Sequence, residues 1–281
     1  MKNIIITALI IITTIMTACN SNNSTNSSTE KDNTSNPLVA IIDTFEIIEY
    51  CDTFHIDTFD NNSPAMTINI SLPILKGNSE RAKRINHYIG CGTVGIDQEE
   101  TEPDNTIEQK ILKYVEHCKA DYYSNHSQYL NEKGINHSAA WLNYSYHIEG
   151  NIIDSKKGTI CCEANIITYQ GGAHGIENKV YINVDSINCN PYSLTEVFSE
   201  EGYTNLSERL TAVLARQLGV TTLEEINEKG YLTDIDMWPT QNFHITDDSI
   251  YFHYCPYEIA PYALGSTTIA MGLDELKDLM K

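Results

Sequence analysis

Basic residues are scarce in this chain. Eighteen Lys and Arg stand against 38 Asp and Glu, a formal net charge of −20. Nucleic-acid phosphates demand Lys and Arg, so a nucleic-acid partner is excluded. The acid excess serves solubility, and it also steers a cationic partner in from solution. Long apolar runs are equally rare. One uncharged stretch, Ile4–Thr17, stands out, and it is shorter than the roughly 20 apolar residues that a spanning helix needs. Familiar ligand and nucleophile patterns are missing as well. The chain has no C-x-x-C, H-E-x-x-H, H-x-H or G-x-S-x-G, and no phosphate loop with its Lys-Ser/Thr. These absences exclude zinc ribbons, thioredoxin-like redox sites, two-histidine zinc helices and nucleophile elbows. No metal and no cofactor is expected. Acidic neighbours such as Glu99-Glu100 and Glu224-Glu225 read as solvated faces.

What is present begins at the N-terminus. Lys2, the uncharged run and Met16-Thr17-Ala18 describe an export signal over residues 1–18. Cys19 follows directly. The segment resembles the lipobox of bacterial lipoproteins, with Met16 in place of the usual leucine. The resemblance implies that Cys19 becomes the first residue and carries diacylglycerol. The expected location is the cell envelope, lipid-anchored, as a periplasmic or outer-membrane lipoprotein. Residues 20–36 are almost all Ser, Thr and Asn, with nothing apolar to offset the entropy of ordering. With Cys19 they form a tether reaching about 20–25 Å. Seven further cysteines follow, an odd number, so at least one thiol stays free or pairs between chains.

The body reads as α+β: two successive mixed modules with antiparallel sheets, residues 37–178 and 179–281. Thr67–Ile74 alternates, with Met66, Ile68, Ile70, Leu72 and Ile74 on one face and an edge-compatible Pro73. Ser79 or Asn78 caps a helix with Ala82, Ile85 and Ile89 on one stripe, which Gly90 and Gly92 stop. A longer helix covers 106–130. Strands follow at 141–149, 159–168 and 179–185, with Gly150-Asn151 as a turn. The last third predicts a helix over 204–218, a short one at 223–229, strands at 243–246, 250–254 and 267–270, and a closing helix at 273–280.

The densest local signal is Tyr169-Gln170-Gly171-Gly172-Ala173-His174-Gly175. Three glycines in five residues permit positive φ and close backbone approach. They display His174 on a tight turn, where it can bind, ligate, or bond its own backbone. Tyrosine is abundant, at 17 residues, and the cluster Tyr251, Tyr254, Tyr257 and Tyr262 is the best exposed-aromatic candidate.

Tyr169–Gly175 is similar to the Y-x-G-G-A-H-G signature of exported domains that resemble the outer part of RsiV-type lysozyme-sensing anti-sigma factors. A related module precedes the catalytic domain of some peptidoglycan deacetylases. Ser193–Phe198 and Ile250–Gly265 resemble further family segments, the second through Pro-Tyr-Glu-Ile-Ala-Pro-Tyr-Ala. The likeness spans residues 60–281. It implies a non-enzymatic envelope protein that binds a lysozyme-like cationic muramidase or peptidoglycan fragments. The implied binding residues are Gly171, Gly172, Ala173, His174 and Gly175, with Tyr169, Tyr257, Glu258 and Tyr262 beside them. The membrane is engaged through the N-terminal lipid only. The alternatives are an envelope hydrolase or deacetylase accessory using His174 and a nearby carboxylate, and a structural lipoprotein.

Overall fold

The computed structural model describes residues 5–7, 44–96, 106–126, 129 and 140–281. Cys19, the tether and the remaining N-terminal residues lie outside the described residues. The first sheet has the order β1 (Ile5–Thr7), β2 (Phe45–His55), β3 (Ala65–Leu75), β4 (Tyr144–Ile153), β5 (Thr159–Tyr169) and β6 (Ile176–Asp185). β1, which falls in the expected leader, lies antiparallel on β2 from Ile5↔Glu49 to Thr7↔Ile47. Every neighbouring pair is antiparallel except β3–β4. A parallel pair needs a long crossover, and α1 (Glu80–Val94) and α2 (Ile107–His126) lie within it.

Register explains which side the helices cover. Tyr50 pairs with Ile70, which pairs with Ile148. Ile68 likewise meets Tyr146. All five side chains are buried. The intervening residues, such as Asn69, His147 and Glu149, are exposed on the opposite face. A sheet with one solvated face alternates in this way.

Several expectations need correction. Pro73 lies in an interior strand. It is tolerated because the β4 pairing stops at Ser71↔Glu149, so no β4 partner asks for its missing N–H. α1 begins as expected, with the Ser79 hydroxyl accepting from the Ala82 N–H at 3.1 Å. It runs through Gly90 and Gly92 to Val94. Those glycines make room: a Cβ at Gly90 would press on Lys110 of α2, and one at Gly92 on Ile182 of β6. Gly150 makes no turn either. It sits inside β4, where a Cβ would come within 3.0–3.3 Å of Leu72, Pro73 and Cys162. α2 ends at His126. The seven described cysteines are free thiols.

The second unit holds α3 (Leu194–Val197), α4 (Glu200–Leu218), α5 (Leu223–Glu228) and an antiparallel sheet of β7 (Phe243–Ile245), β8 (Ser249–Tyr254) and β9 (Thr267–Gly272). The Ser199 hydroxyl caps α4 by accepting from Gly202, and Gly219 ends it in the left-handed region at φ 70°. Leu206, Leu210, Val213 and Leu214 face the sheet side and are buried, each contributing about 1.5–3 kcal/mol. The expected closing helix is a single 3₁₀ turn, Leu273–Leu276, before a bridge from Met280 to Phe198. β6 runs through the boundary expected at 178/179, and core packing divides between Cys189 and Leu194.

The two sheets meet along β6. The Asn242 side chain accepts from the Tyr181 N–H at 2.9 Å and donates to the Lys179 carbonyl at 2.8 Å. One amide thereby stands in for the peptide of a next strand. The Asn183 amide donates to the Phe243 carbonyl, and the Lys156 N–H to Ile245.

Candidate functional site

The β5–β6 hairpin closes at Thr168↔Ile176, and the glycine loop is its tip. Each glycine has its own reason. Gly171 has φ 83°, and its Cβ would lie 2.8 Å from the Trp141 carbonyl oxygen. Gly172 has φ 96° in open space. Gly175 lies so close to the Thr168 carbonyl that a Cβ would sit 2.7 Å from it. The Tyr169 hydroxyl closes the turn by donating to the Gly172 carbonyl at 3.0 Å.

The loop is rooted in the core through Gln170, whose amide donates to the Tyr146 hydroxyl at 2.9 Å. Tyr146 meets Tyr114 of α2 edge-on at 6.3 Å, with the buried Cys118 thiol beside them. Burial pushes the Tyr146 phenol up to about 12 and the Cys118 thiol up to about 11. Both therefore stay protonated and neutral.

His174 is exposed at the tip. Its Nδ1 donates to the Gly175 carbonyl at 3.0 Å, which is the self-bonded turn the sequence allowed. The ring has a second contact that the sequence did not reveal. It lies flat on Tyr262 of the second unit, with centroids 3.8 Å apart and planes at 9°. The Tyr262 hydroxyl donates to the same Gly175 carbonyl at 3.0 Å. Tyr257 stacks beyond Tyr262 at 5.7 Å and 29°. Three rings thus form a ladder, and its outer member, Tyr257, is 59% exposed.

The turn carrying Tyr257 is tightly braced. Tyr257 itself has φ 74°, a costly value for a bulky residue. Its N–H donates to the Ala260 carbonyl. The Glu258 carboxylate accepts from the Cys255 N–H, so this expected binding residue supports the turn from within. Of the expected aromatic cluster, Tyr254 is fully buried, with its hydroxyl donating to the Trp238 carbonyl. It is core, not surface.

The other flank of the loop holds residues that the sequence reading missed. Trp141 follows from a 3₁₀ turn, Ala140–Leu142, and is 45% exposed. Its ring lies over His126 at 6.2 Å and 28°, with Tyr129 edge-on at 5.2 Å. His126 is buried and donates from Nδ1 to the Tyr122 carbonyl. The available signal was the rarity of tryptophan, at two residues.

Exposed peptide groups between two sets of rings can stack and hydrogen-bond. No group of three metal-ligating side chains occurs among the described residues. No helix among them is long and apolar enough to cross a membrane. A cavity of about 350 Å³ lies at the opposite end of the sheet, lined by Glu46, Lys76, Glu80 and Thr106.

Comparison with known proteins matches two successive regions of the chain to two different families. Residues 59–177 match the family model described as Deacetylase PdaC. Residues 195–274 match that described as a protein of unknown function, DUF3298. A solved DUF3298-family structure from Bacteroides fragilis shares 28% identity at a TM-score of 0.73, covering 84% of this chain and 93% of its own. A DUF3298-family structure from Pseudomonas aeruginosa shares 14% identity at a TM-score of 0.57, covering 84% and 94%, a likeness of fold alone. No curated protein matches the chain. This is a two-module protein with one region similar to the Deacetylase PdaC model and one similar to a domain of unknown function.

Proposed function

We propose that this protein is a lipid-anchored binding protein of the bacterial cell envelope. Its recognition face is the glycine-histidine loop together with the Tyr257–Tyr262 turn. Its partner is a cationic muramidase of the lysozyme type, or the peptidoglycan that such an enzyme cuts. One observation carries the reading. His174, from the region that matches the deacetylase-associated model, stacks on Tyr262, from the region that matches DUF3298. The two similar regions thus supply one exposed feature between them. The acid excess supports a basic partner, and the match to a deacetylase-associated model supports a peptidoglycan setting.

Calorimetry with lysozyme and with soluble muropeptides tests the proposal. Truncating a buried contact residue costs about 1–3 kcal/mol of binding. H174A and Y257A are each expected to weaken the complex by that amount while far-UV circular dichroism stays unchanged. Wild-type affinity for neither probe, or variants that bind like wild type, removes the assignment. Turnover of the glycan that stops in H174A points to the hydrolytic alternative.

A further inference from the structure

Two histidines, His244 and His253, flank Tyr181 of β6 where the two sheets meet. His244 is sandwiched between Tyr181 and Tyr251, 5.6 Å from each, and its Nε2 donates to the Asp154 carbonyl. His253 lies deeper. It is 4% exposed, with Nδ1 bonded to the Thr268 hydroxyl of β9 at 2.9 Å. Its ring stands edge-on to Tyr181 of β6 at 6.0 Å. Its Nε2 is buried without a hydrogen-bond partner.

The charged groups that face it come from the first sheet. They are Lys179 of β6 and Glu163 of β5, paired with each other at 3.2 Å. Glu163 also stands across the β5–β6 pair from Tyr181, where burial first and this carboxylate second raise the phenol pKa. We propose that His253 is a proton-operated latch: its protonation opens the seam between β6 and the β7–β8 hairpin and dismantles the binding site that spans it.

The chemistry follows from the partners. Both nitrogens of a protonated imidazole are donors. The second would be a charged N–H buried without an acceptor, which is strongly unfavourable. Lys179 repels that charge, and the Glu163 carboxylate, the smallest of the three effects, only partly offsets burial and Lys179. Burial first, and Lys179 second, hold the His253 pKa below its ordinary value. A group that resists its proton when folded contributes full stability above its unfolded pKa of about 6.5 and loses it as the pH falls below that value. Separation along the seam pulls Tyr262 away from His174. The loss of binding rests on the proposed function, whereas the opening of the seam does not.

Two readouts on the full chain keep these apart. Amide exchange reports the seam at residues 179–183 and 242–245. Calorimetry with lysozyme reports the site. Between about pH 7.5 and pH 5.5, crossing the histidine range, exchange at the seam should rise at least fivefold after correction for intrinsic rates. Lysozyme affinity should fall as well, by up to that factor as the open seam becomes the major form. H253Q, neutral at both values, should flatten both responses. H253F provides the same comparison if H253Q folds poorly. An acid response equal in wild type and both variants overturns the latch, as does loss of far-UV circular dichroism over the same range. Seam opening that depends on His253, with no lysozyme binding at either pH, keeps the latch and removes the partner.

Discussion

At the scale of single residues, the site is built by backbone that side chains do not favour. Gly171 combines φ 83° with a carbonyl where its Cβ would sit, whereas Gly172 has φ 96° and free space. G171A should therefore cost more than G172A. Left-handed strain alone is worth about 1–3 kcal/mol, so G172A is expected in that range and G171A above it, both read from thermal melts. Tyr257 accepts the same strain to hold an exposed ring. Y257G relieves it, whereas Y257A keeps it without the ring. Glycine gains chain freedom on unfolding, a term of about 0.4–1 kcal/mol that opposes the relief of about 1–2 kcal/mol. Y257G should thus be at least as stable as Y257A, and both should bind equally weakly. If Y257A is clearly the more stable, the strain at Tyr257 is not stored there.

At the scale of elements, the apolar periods were legible and the glycines were not. Ile68, Ile70 and Leu72 alternate, and Leu206, Leu210 and Leu214 recur at helical spacing, because each strand or helix buries one face. Gly90, Gly92 and Gly150 carry the same letter as a stop signal, yet each sits inside an element. What they accommodate is a distant neighbour: Lys110, Ile182 or Cys162. That information is tertiary. The site was half legible for the same reason. The sequence displayed His174 on a turn, but the ring beneath it arrives 88 positions later. Asn242 was silent in sequence although it ties the two sheets together. N242A leaves the half-buried Tyr181 N–H and Lys179 carbonyl without that partner, at about 1 kcal/mol. N242D keeps the acceptor for Tyr181 and loses the donor to Lys179. It should be the worse variant, since it turns a carboxylate oxygen towards a carbonyl. Chemical denaturation of the two variants checks that order.

At the scale of the whole molecule, charge and tether act on the same encounter. The body carries its acid excess on a leash from a membrane surface, if Cys19 is lipidated as proposed. C19S should then release the body from the detergent phase or stall it as an unprocessed precursor, which mass spectrometry of the N-terminus tells apart. The charge has a separate signature. Long-range attraction is screened over about 8–10 Å at physiological ionic strength, while ring stacking at Tyr257 is short-ranged. With a basic muramidase, added salt should slow association steeply and leave dissociation nearly unchanged, because electrostatic steering acts on the encounter. Y257A should do the reverse, raising the dissociation rate while sparing the salt slope. Stopped-flow measurements on both proteins across a salt series separate the two contributions. An association rate that is flat in salt would assign recognition to an uncharged glycan, met by the rings alone.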